Sequence, residues 1–570
     1  MKMNFKNIFS AVVVSVMATA CIGDLDTTPL NKTTVTSESA YGVDELGYVQ
    51  GLTKVYAQFA SNNTTNLIVD DGGSSELIRT FWSTQEITTD ACKVGWGNDA
   101  WAQDLNRNTW TEQHNHMIYS VYVRTLQGIA YANEYLRQTE NDRLDLRGVS
   151  SELKAKIAGY RAETRFLRAY FYWMAFDSFG SVPFSTEDSP FGGGYNPPQA
   201  SREDIFNFCV EELEALAAEG SDMPEAQSNY PRADKGSCLG LLARLYINGE
   251  VYTGKGTNAD GKAWSQMAKT TCERIYELGK YSICDDYAAL FRGDNGENLA
   301  ARNEFLFAVA YHGQNTKSYG GTTFLTLAST ASDDCVKLPW KLNGVNGGWG
   351  GIRVPYEYVS KYFAPTDVDY TYDPGFAVTT QKLYTRNNGY KVADKRGVIF
   401  YIYGREESME DHLYDFLYGW SCLKFNNVPH DKDIADFQDV AGTASNADID
   451  FPLIRLGEIH LIYAEACMKA GGSAAAQIKA LADRAGIEAE TNVTVDWLIA
   501  ERARELLWEG HRRTDLIRYG KYTSADFLWP YKGGNDYNGK ALDSTRNLFA
   551  IPATERASNP DLVQNPGYEE

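Results

Sequence analysis

The chain is poor in the residues that most often carry metal or nucleophilic chemistry. It has 7 histidines and 9 cysteines in 570 residues. No two cysteines share a C-x-x-C spacing, so neither a zinc site nor a disulfide framework is supported, and most of the cysteines read as small buried apolar residues. H-E-x-x-H and G-x-S-x-G are absent, and His114 and His116, two apart, would face different sides of a helix. "GTNADGKA", Gly256 to Ala263, nearly spells a phosphate-binding loop, but Ala263 stands where the magnesium-binding Ser or Thr belongs; the stretch reads as a turn between helices. Positive charge is short as well: 54 Lys and Arg against 75 Asp and Glu give a net −21. A polyanion draws its affinity from clustered cations, so nucleic acid is disfavoured as a partner. Past the first twenty residues no apolar run is long enough to span a bilayer.

What the N-terminus does have is a pattern. Lys2 and Lys6 precede an apolar run from Ile8 to Ala18, then small residues, then Cys21. This is the anatomy of a secretory signal peptide over residues 1–20. Met17 to Cys21 resembles a lipobox, which implies cleavage before Cys21 and its acylation. At ~0.8 kcal/mol per buried methylene, two or three acyl chains anchor a protein durably where one does not. Residues 21–40 are small and polar, as a flexible tether is, and these residues alone leave open which membrane holds the anchor.

Helical periods dominate two regions. Glu152 to Gly180 places Leu153, Ile157, Tyr160, Phe166, Leu167, Tyr170, Phe171 and Met174 at three- and four-residue steps, and stops at Gly180. Ser201 and Asp204 open a second helix in a capping-box-like way, and "ADKGSCLGLLARLYING" and "KAWSQMAKTTCERIYELGK" follow as two more. Alternation of small and large residues, such as Ala243 near Tyr246, suggests tetratricopeptide-like stacking. Helices return at "FPLIRLGEIHLIYAEACMKAGG" and "VDWLIAERARELLWEGHRRTDLIRYGKY". Between them, about 281–446, lies a loop-rich insertion of Gly, Tyr, Trp, Asn and Asp, the kind of segment in which binding resides on a rigid scaffold.

With 36 Tyr, 25 Phe and 12 Trp, the aromatic load exceeds what helix packing requires. Trp82, Trp173 and Trp508, on helical faces, read as core. Trp96 and Trp349, in polar loops flanked by glycine, read as surfaces on which a sugar ring stacks while Asn, Asp or Arg bonds its hydroxyls. Arg79, Asn98, Asp99, Tyr319 and Arg353 lie in the same stretches, and glycines beside Trp349 and Tyr319 are expected to let a ligand approach closely. Asp294, Asp448 and Asp450 supply hard oxygen ligands of the kind calcium selects, whereas "DVDYTYDPG" lacks the Glu that closes an EF-hand. The acidic residues leave room for a hydrolytic carboxylate pair, but nothing singles one out.

"RAETRFLRAYFYWMAFDSFGSVPF", "FPLIRLGEIHLIYAEA", "ERARELLWEGHRRTDLIRYG" and "IPATERASNPDLVQNPGY" occur in this order. Together with the lipobox they resemble the SusD/RagB family of nutrient-binding lipoproteins of the Bacteroidetes outer membrane. The resemblance implies a mainly α SusD-like fold, with four tetratricopeptide-like helix pairs and a loop-rich ligand-binding region, over residues 41–570 as a single domain. It implies a non-catalytic, outward-facing outer-membrane lipoprotein that captures starch or malto-oligosaccharides and passes them to a SusC-like TonB-dependent transporter. Arg79, Trp96, Tyr319 and Trp349 resemble the arginine and aromatic arc of the family's starch-binding founder. Asn98 matches its asparagine in type and Asp99 in place, while the loop to Trp349 is longer here and Trp340 adds an aromatic. Asp294, Asp448 and Asp450 resemble aspartates that hold a structural calcium ion; no other cofactor is implied. The alternatives are a SusD-like binder of another glycan or of peptides, a glycoside hydrolase, and a helical-repeat assembly protein whose aromatics meet only protein.

Overall fold

The computed structural model describes residues 40–62, 73–113, 115–192, 194–332, 343–363, 394–402, 405–432 and 445–568. Cys21 with its signal peptide and tether, His114, Trp340 and the Asp367–Gly375 stretch lie outside the described residues.

The principal elements up to residue 280 are helical. They are α1 (Glu45–Tyr56), α2 (Leu77–Glu86), the short strand β1 (Lys93–Val94), α3 (Ala100–Arg107), α4 (His116–Gln138), α5 (Ser151–Phe179), α6 (Arg202–Ala217), α7 (Lys235–Ile247) and α8 (Trp264–Glu277). Local chemistry sets their ends. The Ser150 side chain caps α5 by accepting from the Leu153 amide, and α5 stops at Gly180, whose φ of 72° suits glycine. Asp234 and Ser237 form a reciprocal capping box at the start of α7. The Gly256 to Ala263 stretch is the expected turn, closed by the Asn258 amide donating to the Lys262 carbonyl at 2.9 Å.

Later elements are β2 (Phe305–Val309), α9 (Gly321–Ser329), β3 (Ile352–Arg353), β4 (Phe451–Arg455), α10 (Leu456–Ala470), α11 (Ala475–Ala485), α12 (Val495–Glu505) and α13 (Arg512–Arg518). The helices pack as a ladder: α4 on α5, α5 on α6, α6 on α7, α7 on α8, α8 on α10, and α10 on α11 and α12. Nearest-neighbour stacking of this kind is consistent with a tetratricopeptide-like arrangement. Every residue of α7 is buried, which is why its sequence lacks a polar face.

Two helix expectations are corrected. Phe451–Arg455 is a strand, antiparallel to β2 with Phe305 opposite Arg455 and Val309 opposite Phe451. All five of its residues are buried, so both faces carry apolar side chains and no helical period survives. The long segment from Val495 is two helices, because Trp508 (φ 62°) and Gly510 (φ 80°) turn the chain between α12 and α13. Trp508 is therefore in a turn, although it is fully buried in the core as expected, edge-on to Trp82 at 5.3 Å.

That turn belongs to a buried ionic cluster. Arg455 of β4 pairs with Glu505 (2.6 Å), Glu304 (2.9 Å) and Glu509 (2.6 Å). Arg396 pairs with Asp394, Glu501 and Glu505, Arg484 with Glu304 and Glu505, and Lys424 with Glu509. Burial opposes ionisation of Glu505, but Arg484, Arg455 and Arg396 together hold its carboxyl well below the usual range. The cluster fastens the loop-rich region, through Arg396 and Lys424, to the helical ladder.

Candidate functional site

The site is built around α9. β1 pairs with β3, Lys93 opposite Arg353 and Val94 opposite Ile352, and the Gly95 amide donates to the Gly351 carbonyl at 2.7 Å. This pairing brings Trp96 beside Trp349. The Trp349 amide donates to the Leu327 carbonyl at 2.7 Å and the Gly350 amide to the Thr330 carbonyl at 3.0 Å, which ties the second tryptophan to the C-terminal end of α9. Tyr319 stands just before the N-terminal end of the same helix.

The result is a continuous row of rings. Tyr319 and Trp349 have centroids 5.9 Å apart and planes at 56°; Trp349 and Trp96 are 6.4 Å apart at 61°; Trp96 and Trp101 are 6.2 Å apart at 62°. Tyr319 is 49% exposed, and the three indoles are half-buried. Successive rings are tilted, so the row presents a bent surface. Phe324 of α9 forms its floor, 6.4 Å from Trp349 and 6.3 Å from Trp96.

The residues expected from sequence divide into four groups. Trp96, Tyr319 and Trp349 come together as ring neighbours. Asn98 and Asp99 are exposed in the turn between Trp96 and α3, at the rim of the row. Arg79 is 6% exposed on α2, with its guanidinium 4.2 Å over the Phe324 ring, so it supports the floor with a cation–π contact. Arg353 does not join the site: it is fully buried, and its guanidinium donates to the carbonyls of Asp415, Tyr418 (2.8 Å) and Leu413 (2.5 Å). Trp101 and Phe324 were not singled out. The signal for Trp101 was its place across a Gly-Asn-Asp turn from Trp96, which reverses the chain and brings two tryptophans five apart into contact.

Three of the glycines serve a different end from the one expected. A side chain at Gly351 would collide with the Trp96 indole, at Gly348 with the Thr330 carbonyl, and at Gly320 with the Glu76 carboxylate. They let the scaffold close up beneath the rings. Glu76 is the buried anchor there: Tyr311 donates to it at 2.6 Å and Ser318 donates to its other oxygen. Burial pushes its carboxyl up to about 7, against the lowering effect of those two hydroxyls.

The three aspartates lie on segments that meet. Asn295 accepts from the Asp450 amide and donates to the Asp450 carbonyl, at 2.8 and 2.9 Å. Asp294 accepts from the His430 amide, Asp448 from the Gly313 amide, and Asp450 from Tyr230 and the Tyr311 amide. Burial pushes the Asp450 carboxyl up to about 6. An all-oxygen set suits a hard cation, but among the described residues no group of three or more His, Cys, Asp or Glu side chains is gathered as metal ligands.

Residues 303–568 match the model of the SusD family. Over 592 aligned residues, covering 99% of both chains, the sequence is 30% identical to "Starch-binding protein SusD" of Bacteroides thetaiotaomicron. The chain belongs to the SusD family. A SusD-like protein of Bacteroides ovatus is 22% identical over 70% of this chain and 64% of its own length. Among solved structures, surface glycan-binding protein A from Bacteroides uniformis superposes with a TM-score of 0.65 at 19% identity, over 92% of this chain and all of that one. Surface glycan-binding protein A from Bacteroides thetaiotaomicron, in complex with laminarihexaose, gives 0.63 at 20% identity, over 91% of this chain and 98% of that one. At these identities the likeness is one of fold.

The segments that carry the SusD resemblance are structural ones. Arg165 and Arg168 of α5 both reach Glu212 of α6, and Arg502, Arg512 and Arg518 pair with Asp515, Asp90 and Glu465. The C-terminal segment is tied back by Asn565, which donates to the Phe179 and Phe549 carbonyls at 2.8 and 2.7 Å.

Proposed function

We propose that this protein is a non-catalytic surface glycan-binding lipoprotein of the outer membrane. It captures starch or malto-oligosaccharides and hands them to a SusC-like TonB-dependent transporter. The observation that carries this reading is the bent row Tyr319–Trp349–Trp96–Trp101, with neighbouring centroids 5.9 to 6.4 Å apart. Pyranose rings expose C–H-rich faces that stack on aromatic rings. Faces tilted by 56° to 62° suit a chain that curves, as an α-glucan does, better than a flat ribbon. Asn98 and Asp99 at the rim are placed to bond sugar hydroxyls, and the 30% identical relative is itself named starch-binding.

A different curved glucan is the second reading, because a β-1,3-linked chain also bends and a structural neighbour holds laminarihexaose. Glu76, the buried carboxylate under Tyr319, is not free to serve a hydrolase: both of its oxygens accept from protein hydroxyls, and glycoside hydrolysis needs two carboxylates presented to the glycosidic bond.

Titration calorimetry of the purified protein with maltoheptaose, laminarihexaose and a β-1,4-linked hexaose tests the reading, with each ligand recovered and checked for cleavage. Selective binding of intact maltoheptaose is expected. Preference for laminarihexaose transfers the site to the second reading, and released reducing ends overturn the non-catalytic assignment. Co-purification of a TonB-dependent transporter with the tagged protein from outer membranes checks the partner.

A further inference from the structure

We infer that the cleft between α3 and the 411–418 loop is a second carbohydrate subsite, which takes the continuation of a glycan chain already lying on the ring row. The inference rests on the glycan-binding reading above. It starts from the Gly95–Asp99 turn, which has two sides. On one, the Trp96 indole lies against Gly351 and joins the row. On the other, a Cβ at Gly95 would come within 2.7 Å of the Phe416 ring, and one at Gly97 within 2.8 Å of the Tyr414 ring. Alternate residues of an extended segment point to opposite sides. The turn therefore backs the row with one side and packs with the other against Phe416 and Tyr414, which line the space beyond, and Asn98 and Asp99 are exposed within it.

That space is a cleft of about 820 Å³ lined by Arg107, His412, Tyr414, Phe416, Tyr531 and Asn535 among others. Its size is in the range that holds small ligands. Tyr414 is 37% exposed, and the Arg107 guanidinium lies 5.6 Å from its ring centroid. Arg107 Nε is buried and has no hydrogen-bond partner among the described residues, while Nη1 donates to Gln103 at 3.3 Å. An exposed ring beside a guanidinium offers a hydroxyl-rich pyranose a stacking face next to a cation. Asp411 and Asp415 add acceptors to the same wall.

The wall is preformed. Arg353 holds the carbonyls of Leu413, Asp415 and Tyr418, and Tyr531 donates to the Met409 carbonyl at 2.8 Å. His412 stacks on Tyr418 with centroids 3.8 Å apart. A glycan crossing the Asn98–Asp99 turn would thus meet an ordered surface, and occupancy of both sides by one chain raises affinity through effective concentration.

The test is calorimetry on the full chain with short and long members of whichever glucan series the wild type binds. Wild type, Trp349→Ala and the double variant Arg107→Gln/Tyr414→Ala are compared. The wild type should bind the long chain about tenfold more tightly than the short one, at one chain per protein. The double variant should keep the short-chain affinity and lose the gain with length, whereas Trp349→Ala should lose both. An unchanged length dependence in the double variant overturns the inference while leaving the ring row intact. Two short molecules per wild-type protein overturn it too, since the cleft would then act independently. If the wild type binds no glucan, the parent reading has failed and this one falls with it. Should the double variant melt early, the single Tyr414→Leu variant decides by the same comparison.

Discussion

Trp349→Ala separates the binding reading from a purely structural one. The ring is half-buried, with Tyr319, Trp96 and Phe324 as ring neighbours, so part of the indole surface is left for a ligand. A hexose stacked there would remove about 80 Å² of apolar surface from water, and at ~25 cal/mol per Å² that is about 2 kcal/mol. Losing it should weaken glucan binding about 30-fold. Truncation also removes packing within the row, roughly half of the 3–5 kcal/mol lost by a fully buried aromatic, so Tm should drop by only a few degrees. Trp508→Ala is the reference: its ring is fully buried against Trp82, and its loss should cost about 3–5 kcal/mol of stability without a selective effect on affinity. Calorimetry and thermal melts on both variants, with Trp349→Phe as partial rescue, make the test. A folded Trp349→Ala protein that binds like wild type would refute the reasoning, because no ligand could then depend on that surface.

Three further outcomes follow from named groups. Glu76 has a folded pKa of about 7, above its unfolded value, so its stabilising contribution is complete below about pH 4.5 and is lost as pH rises toward 7. Glu76→Gln should therefore flatten the fall in Tm between pH 5 and 8, by roughly 2–3 kcal/mol in ΔG; parallel wild-type and variant curves would show that the carboxyl is not buried as described. Glu505→Ala removes one carboxylate partner from each of Arg396, Arg455 and Arg484, which leaves an excess of buried positive charge and should cost about 3–5 kcal/mol in urea unfolding. Asp294, Asp448 and Asp450 accept protein hydrogen bonds and are not gathered as metal ligands among the described residues, so a chelator should leave Tm unchanged; a drop reversed by added calcium would show that they close around the ion.

Much of the scaffold was legible. The period of α5, the capping of α6 and the stop at Gly180 are local features, decided by side chains within a turn of one another. Phe451–Arg455 and the Trp508 turn were not legible, for a shared reason. A strand buried on both faces has no alternation, and a left-handed residue inside a Glu- and Arg-rich run is set by distant partners: here Trp82 and the Arg455 cluster. Glu501, Glu505 and Glu509 are buried against Arg396, Arg455, Arg484 and Lys424, which arrive from elsewhere in the chain.

At the candidate site the division is similar. The sequence alone determined that aromatic residues sit in glycine-rich loops, and that the chain shares the SusD pattern, because composition and motif order are properties of the chain. Tertiary structure decided which rings touch. It admitted Trp101 and Phe324, placed Arg79 under the floor and withdrew Arg353 to hold the 411–418 loop. Loop aromatics have no repeat by which their neighbours can be read; their contacts exist only once the β1–β3 pairing and α9 bring separate stretches of chain within a ring's width of each other.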